Sequence, residues 1–198
     1  VQDDSTYEGG IAVIEVVKEN TAQKGVIKIS KSGEVFSSVT ESEGVYQPVY
    51  SVQGLAGAVY EITAAEDIYT LDNTLRYAAG EVVDTVTTDE TGLAESKPLY
   101  LGKYEIREIE APYGMVLNGE IYAAELVYVG QEIEITETAA SFYNERQKAA
   151  VSLDKVLEQN NLFGIGANGE MSAVTFGLFA AGELTAADGS VTVSYTHL

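Results

Sequence analysis

A chain of 198 residues, 45% of them hydrophobic, can bury a real core and has room for one complete domain with parts of others. Its 31 acidic residues against 11 basic ones give a formal charge of −20 at pH 7. That excludes nucleic-acid phosphates and anionic lipid surfaces as partners, because both demand clustered Lys and Arg. There is no Cys, and the one histidine, His197, stands beside the last residue. Disulfides, thiolate metal sites, a histidine-based zinc site and a Ser-His-Asp triad are therefore excluded as well. No run approaches the ~20 apolar residues of a membrane-spanning helix. With no initiator Met, signal peptide or C-terminal anchor in view, the chain reads as an internal piece of a longer protein.

Taken in order, the segments alternate with the period of half-buried strands. Ile27, Ile29 and Lys31 share one face, opposite Val26, Lys28 and Ser30. A turn is expected at Ser32-Gly33, and Ser37–Gly54 reads as a long loop. Ala58, Tyr60 and Ile62 alternate with Val59 and Glu61, and a short helix is possible over Ala64–Leu71. Val82–Thr88 is a strand candidate rich in Val and Thr, followed by a turn at Asp89-Glu90-Thr91-Gly92. Tyr104, Ile106 and Glu108 then share a face before the turn Ala111-Pro112-Tyr113-Gly114. Glu132–Thr136 is a further strand candidate, and Phe142 shares its face with Asn144. The pattern predicts an all-β chain of the sandwich type.

An internal repeat organises these elements. Asn20 precedes Lys24 by four residues, with Ile27, Ile29 and Lys31 following; Asn144 precedes Lys148 by four, with Val151, Leu153 and Lys155 following at the same spacings. The shift is 124 residues. Tyr60-Glu-Ile-Thr-Ala-Ala and Phe176-Gly-Leu-Phe-Ala-Ala form a second pair at a shift of 116, so the intervening loop is shorter in the second copy. The frame that follows has residues 1–23 as the last strand of one domain, 24–147 as a complete domain and 148–192 as the opening of a third. No Gly/Ser-rich linker separates them, so closely coupled beads on a stiff rod are expected. The last six residues, Val193–Leu198, match one reading frame of the transposon end used in preparing sequencing libraries and are read as carrying no biology.

Within the complete domain three polar residues continue apolar faces: Lys31 with Ile27 and Ile29, Glu108 with Tyr104 and Ile106, and Asn144 with Phe142. Burying such groups without partners costs several kcal/mol, so three that point inward are expected to meet. Burial disfavours charged forms. A neutral Lys31 amine can then attack the side-chain carbonyl carbon of Asn144, with Glu108 polarising the amide and moving protons as ammonia leaves. The reaction runs once and in place, so the domain is not expected to be an enzyme.

These residues resemble the Cna-B-type, or SpaA-like pilin, domains of Gram-positive surface proteins. The likeness is carried by Ile27-x-Ile29-x-Lys31, Leu55-Ala-Gly-Ala-Val-Tyr60, Thr88-Asp-Glu-Thr-Gly92, Gly102-Lys-Tyr104-x-Ile106-x-Glu108-x-x-Ala111-Pro112-x-Gly114 and Phe142-Tyr-Asn144-Glu. The run from Tyr104 to Gly114 is the most specific of them. The resemblance implies tandem transthyretin/prealbumin-like (Ig-like) β-sandwich domains, with Lys31, Glu108 and Asn144 as an isopeptide triad. Met115 stands where the family usually has Tyr, and Gly33 where it often has Asp; neither touches the triad. Asn20 and Lys155 are candidate cross-link residues of the truncated neighbouring domains.

The resemblance also implies a function: a stalk segment of a cell-wall-attached bacterial surface protein, extracellular, with neighbouring domains of the same chain as its partners. A host matrix protein or glycan would be reached through the parent protein. Two alternatives are a ligand-binding adhesin module, using loops such as Ser37–Gly54, and a sortase-assembled pilus shaft subunit. No cofactor and no metal is expected: the acidic loops lack Asp-x-Asp-x-Asp-Gly spacing, and no phosphate loop or dinucleotide fingerprint occurs.

Overall fold

The computed structural model describes residues 7–8, 11–12, 15–17, 20–156, 162–164, 169 and 174–192. Its strands in chain order are β1 (Tyr7–Glu8), β2 (Ile11–Ala12), β3 (Lys24–Ser42), β4 (Val45–Gly54), β5 (Val59–Ala64), β6 (Ile68–Tyr69), β7 (Leu75–Tyr77), β8 (Val82–Thr87), β9 (Leu93–Glu95), β10 (Leu99–Tyr100), β11 (Gly102–Glu110), β12 (Ile121–Leu126) and β13 (Ile135–Asn144). The described residues contain no helix. The alternation has become an all-β fold.

Two sheets face each other. One is built on the 19-residue strand β3, which pairs in parallel with β13 from Lys24↔Ile135 to Gly33↔Asn144. On its other edge β3 meets β10, β9 and β4 in antiparallel succession. The facing sheet has the order β12-β11-β5-β8. Ile27, Ile29, Tyr60, Ile62, Tyr104, Ile106, Ala124, Leu126, Ala140 and Phe142 fill the space between them. Each fully buried aliphatic side chain of this set contributes roughly 1.5–3 kcal/mol, which fixes the inward phase of every strand.

Several expectations are corrected. β3 runs through Ser32-Gly33 without turning, and Ser37–Gly54 is no loop: it is the far half of β3 paired with β4, from Ser32↔Gly54 to Ser42↔Val45. The hairpin closes on Glu43 and Gly44, with φ of 53° and 79°. Two successive left-handed residues give the mirror-image turn that suits strand twist. The expected helix over Ala64–Leu71 is instead the end of β5 and the start of a small hairpin, β6–β7, whose backbone pairing overrides helix propensity. The strand predicted over Glu132–Thr136 begins only at Ile135. Residues 193–198 lie outside the described residues.

Candidate functional site: a buried Lys-Glu-Asn cluster

The parallel pairing of β3 with β13 sets Lys31 opposite Phe142, two residues before Asn144, so both polar side chains leave the same face at the same end of the sheet. Glu108 arrives from the other sheet. It pairs with Tyr60 on β5 just before a register shift that brings Glu110 opposite Val59; such a bulge bends the strand and re-aims its side chains. Lys31, Glu108 and Asn144 are 1%, 2% and 1% exposed, among the least accessible residues of the fold.

They meet. Lys31 Nζ lies 2.8 Å from Glu108 Oε1 and donates to Asn144 Oδ1 at 2.5 Å. Asn144 Nδ2 donates to Glu108 Oε1 and Oε2 at 2.9 and 3.1 Å. One carboxylate therefore touches both the amine that would attack and the amide nitrogen that would leave. The backbone N–H of Asn118 donates to Glu108 Oε2 at 2.7 Å, and Asn118 Nδ2 donates to the Tyr143 carbonyl. These contacts hold the loop before β12 over the site.

The walls are aromatic. The Tyr60 and Phe142 ring centroids are 4.7 Å apart, and Lys31 Nζ lies 5.8 and 5.9 Å from them. Burial in this setting pulls the Lys31 amine below its ordinary value of 10.5, against the opposing pull of Glu108. The Tyr60 hydroxyl is pushed far up, first by burial and then by the neighbouring Glu108 charge. It stands beside the Glu108 carboxylate and, among the described residues, finds no hydrogen-bond partner of its own.

The backbone around Lys31 is also fixed. Its N–H donates to the Gly92 carbonyl at 2.7 Å, and its carbonyl accepts from Leu55 N at 3.1 Å. Thr88, buried, accepts from Ala58 N and donates to the Leu55 carbonyl. The Asp89–Gly92 turn thus buttresses the strand that carries the amine.

Of the residues singled out in the sequence, the structure brings Lys31, Glu108 and Asn144 together. It leaves Asn20 and Lys155 exposed and outside any strand. Val151 and Leu153 are exposed too, so the second copy of the first-strand pattern does not form a strand here. Tyr60 and Asn118 were missed as neighbours of the site. The signal for Tyr60 was its inward phase, while the Asn118 contact runs through a backbone amide, which every non-proline residue has.

Residues 49–140 match the model of a family described as SpaA, prealbumin-like fold domain. This stretch, a little under half of the chain, is similar to a SpaA-type prealbumin-like domain. The matched SpaA segment contains Glu108 but neither Lys31 nor Asn144, which join it through β3 and the end of β13. Over 80 residues the chain is 30% identical to the trypsin-resistant surface T6 protein of Streptococcus pyogenes serotype M6. That alignment takes in 39% of this chain and spans 15% of the T6 protein. Among solved structures, the Bacillus anthracis TIE protein is similar at 26% identity and a TM-score of 0.37, over 63% of this chain and 17% of that one. GBS52, the minor pilin of Streptococcus agalactiae, is similar at 14% identity and a TM-score of 0.43, over 68% of this chain and 49% of that one. The T6 backbone pilin of Streptococcus pyogenes serotype M6 is similar at 28% identity and a TM-score of 0.30, over 52% and 16%.

Proposed function

We propose that this chain is a segment of a structural stalk on a Gram-positive cell surface, and that its SpaA-type domain welds itself through an amide bond between Lys31 and Asn144. On this reading residues 24–147 are one complete unit, 1–23 the end of a preceding unit and 148–192 the beginning of the next. The observation that carries it is the enclosed contact of Lys31 Nζ with the Asn144 side chain, beside a carboxylate that touches both reacting nitrogens.

The chemistry balances without a co-reactant. The neutral Nζ attacks Cγ of Asn144, forming an N–C bond. Glu108 takes the proton that Nζ sheds and hands it to Nδ2; the Cγ–Nδ2 bond breaks and ammonia departs. Exclusion of water keeps the carboxylate from being screened and removes the competitor that would hydrolyse the amide. The reaction is a single turnover that leaves a cross-link, and the domain has structural work to do afterwards.

The similarity to a surface protein and the charge of −20 support an extracellular, wall-attached setting, with neighbouring domains of the same chain as partners. The same similarity favours a pilus shaft subunit as the second reading; it uses the same bond. The adhesin reading loses its main support, because Ser37–Gly54 is a paired hairpin rather than an open loop.

The test is the intact mass of the folded chain. A deficit of about 17 Da, one ammonia, that is restored in Glu108→Ala establishes the weld. The full mass in a folded sample overturns it.

A further inference from the structure

A second contact, outside the buried cluster, joins the segment after the domain to the domain itself. Residues 184–192 form a small hairpin, with Thr185 bridged to Val191. Its tip lies on β3: Ala187 N donates to the Phe36 carbonyl at 2.9 Å, Asp188 N to the Ser37 carbonyl at 3.2 Å, and Val39 N to Ser190 Oγ at 2.9 Å. These atoms belong to the β3 edge beyond Gly33↔Asn144, where β13 has ended and its place beside β3 is open. Val39 pairs with Pro48 on the other edge, and its N–H points outward to Ser190. A bulge between Phe36 and Ser38 shapes the same stretch.

The docked hairpin repeats one inside the domain, at the 116-residue shift. Tyr69 pairs with Leu75 as Thr185 pairs with Val191. Thr70 N donates to Thr74 O and Asn73 N to Thr70 O; Ala186 N donates to Ser190 O and Gly189 N to Ala186 O. Asp72 accepts from Thr74 N and Oγ1, and Asp188 from Ser190 N and Oγ. Asn73 and Gly189 both take the left-handed conformation, at φ of 60° and 83°.

Position completes the correspondence. Within the domain the β6–β7 hairpin sits where β3 begins: Arg76 and Tyr77 pack on Tyr100, and Tyr100 pairs with Lys24. Its tip, with Leu71 fully exposed, therefore faces back along the chain. The 184–192 hairpin, one repeat later, lies against the opposite end of the domain, where β13 leaves.

We infer that this is the joint of the stalk: the tip of each unit's β6–β7-type hairpin docks on the β3 edge of the unit before it, through the N–H groups and the hydroxyl of its turn. The partner of the exposed Thr70–Thr74 tip is accordingly a preceding copy of the same domain, presenting an edge like Phe36–Val39. The hydroxyl at Ser190, with Thr74 as its counterpart, accepts from the neighbour's backbone while its own proton goes to the turn aspartate. The inference rests on the tandem reading but not on the weld.

Amide hydrogen exchange on the full chain tests it. Ala187, Asp188 and Val39 are expected to be protected. Val39→Pro removes the donor from an edge where proline is tolerated, and is expected to speed exchange at Ala187 and Asp188 roughly tenfold or more. Ser190→Ala, outside the domain core, should speed exchange at Val39 while Tyr104 stays protected. Free-rate exchange at Ala187 and Asp188 in the parent chain overturns the joint, as does indifference of those two amides to Val39→Pro together with indifference of the Val39 amide to Ser190→Ala. The intact mass should not change in either variant, so failure of the joint and failure of the weld are separately visible.

Discussion

Pulling the chain by its ends gives the sharpest consequence of the geometry. Load arrives at Lys24, at the foot of β3, and leaves at Asn144, at the head of the parallel neighbour β13. With Lys31 joined to Asn144, force climbs β3 for a few residues, crosses the amide and exits. The chain between the two, a sequence separation of 113, is bypassed. Were it released, it would add roughly 400 Å of contour, at ~3.3–3.6 Å per residue. The part of β3 that stays in the load path is already extended and has well under ~30 Å to give. Single-molecule extension is simple to arrange, since a cysteine-free chain accepts one thiol at each end as a handle. The parent chain is expected to show no ~400 Å step below the force that breaks covalent handles, and Lys31→Met to show one. A step of that length in molecules whose mass shows the lost ammonia would refute the load path, even with the bond in place.

Four further outcomes follow from the same site. Lys31→Met removes loop closure worth about 5 kcal/mol on the chain-entropy account. For a domain of this size that lowers the melting temperature by ~20 °C; a fall under ~5 °C in calorimetry would count against a formed cross-link. Because Lys31 is held below 10.5, ammonia release after refolding should quicken with rising pH and level off before that value. In Asn144→Ala, which cannot close, the unfolded chain binds a proton that the fold does not, so stability should rise with pH up to about 10.5 and then flatten. A rate or stability that falls with pH across this window would contradict the assigned shift. Gly92→Ala places a methyl 2.3 Å from the Lys31 carbonyl oxygen and 2.7 Å from Gly54 Cα, at a φ of +80°. It should cost ~2 kcal/mol or more in urea unfolding and slow closure, because the Gly92 carbonyl positions the Lys31 backbone.

What could be read in advance was set by strand period. A side chain two residues from Ile29 must share its face, so Lys31 points inward wherever that strand is half-buried; the same holds for Glu108 after Ile106 and Asn144 after Phe142. The facing of the two sheets then brings the three together. Features decided by pairing partners were not legible. Glu43-Gly44 lacks the Asn-Gly signature of a tight hairpin, and Ser37–Gly54 reads as a loop, yet β3 and β4 continue because each supplies the other's hydrogen bonds. The Ala64–Leu71 stretch has helix-forming composition, but its backbone groups find partners in β11 and β7. Conversely, Val151, Leu153 and Lys155 alternate correctly and stay exposed. An alternating segment becomes a strand only where a sheet edge receives it.

At the end of the domain the proposed cross-link and the proposed joint are connected by a short run of contacts. Immediately after Asn144, Val116 N donates to the Glu145 carbonyl and Gln147 N to the Gly114 carbonyl, so the departing chain is laced to the turn after Pro112. Arg146 pairs with Glu34 at 2.8 Å and lies 3.7 Å over the Tyr50 ring, which itself packs on Phe36. Phe36 is where the following hairpin docks. Individually these contacts are small: a partly exposed ion pair and one cation–π contact contribute about 1 kcal/mol each. Their arrangement matters more than their sum. On the proposed reading the amide would hold β13 to β3 and the hairpin edge would hold the next unit, while Arg146 ties the exit to the base of the β3–β4 hairpin. If the units are stacked as proposed, bending at this junction would have to open the docked edge before any linker could flex, so stiffness would reside in these hydrogen bonds rather than in the composition of the connecting residues.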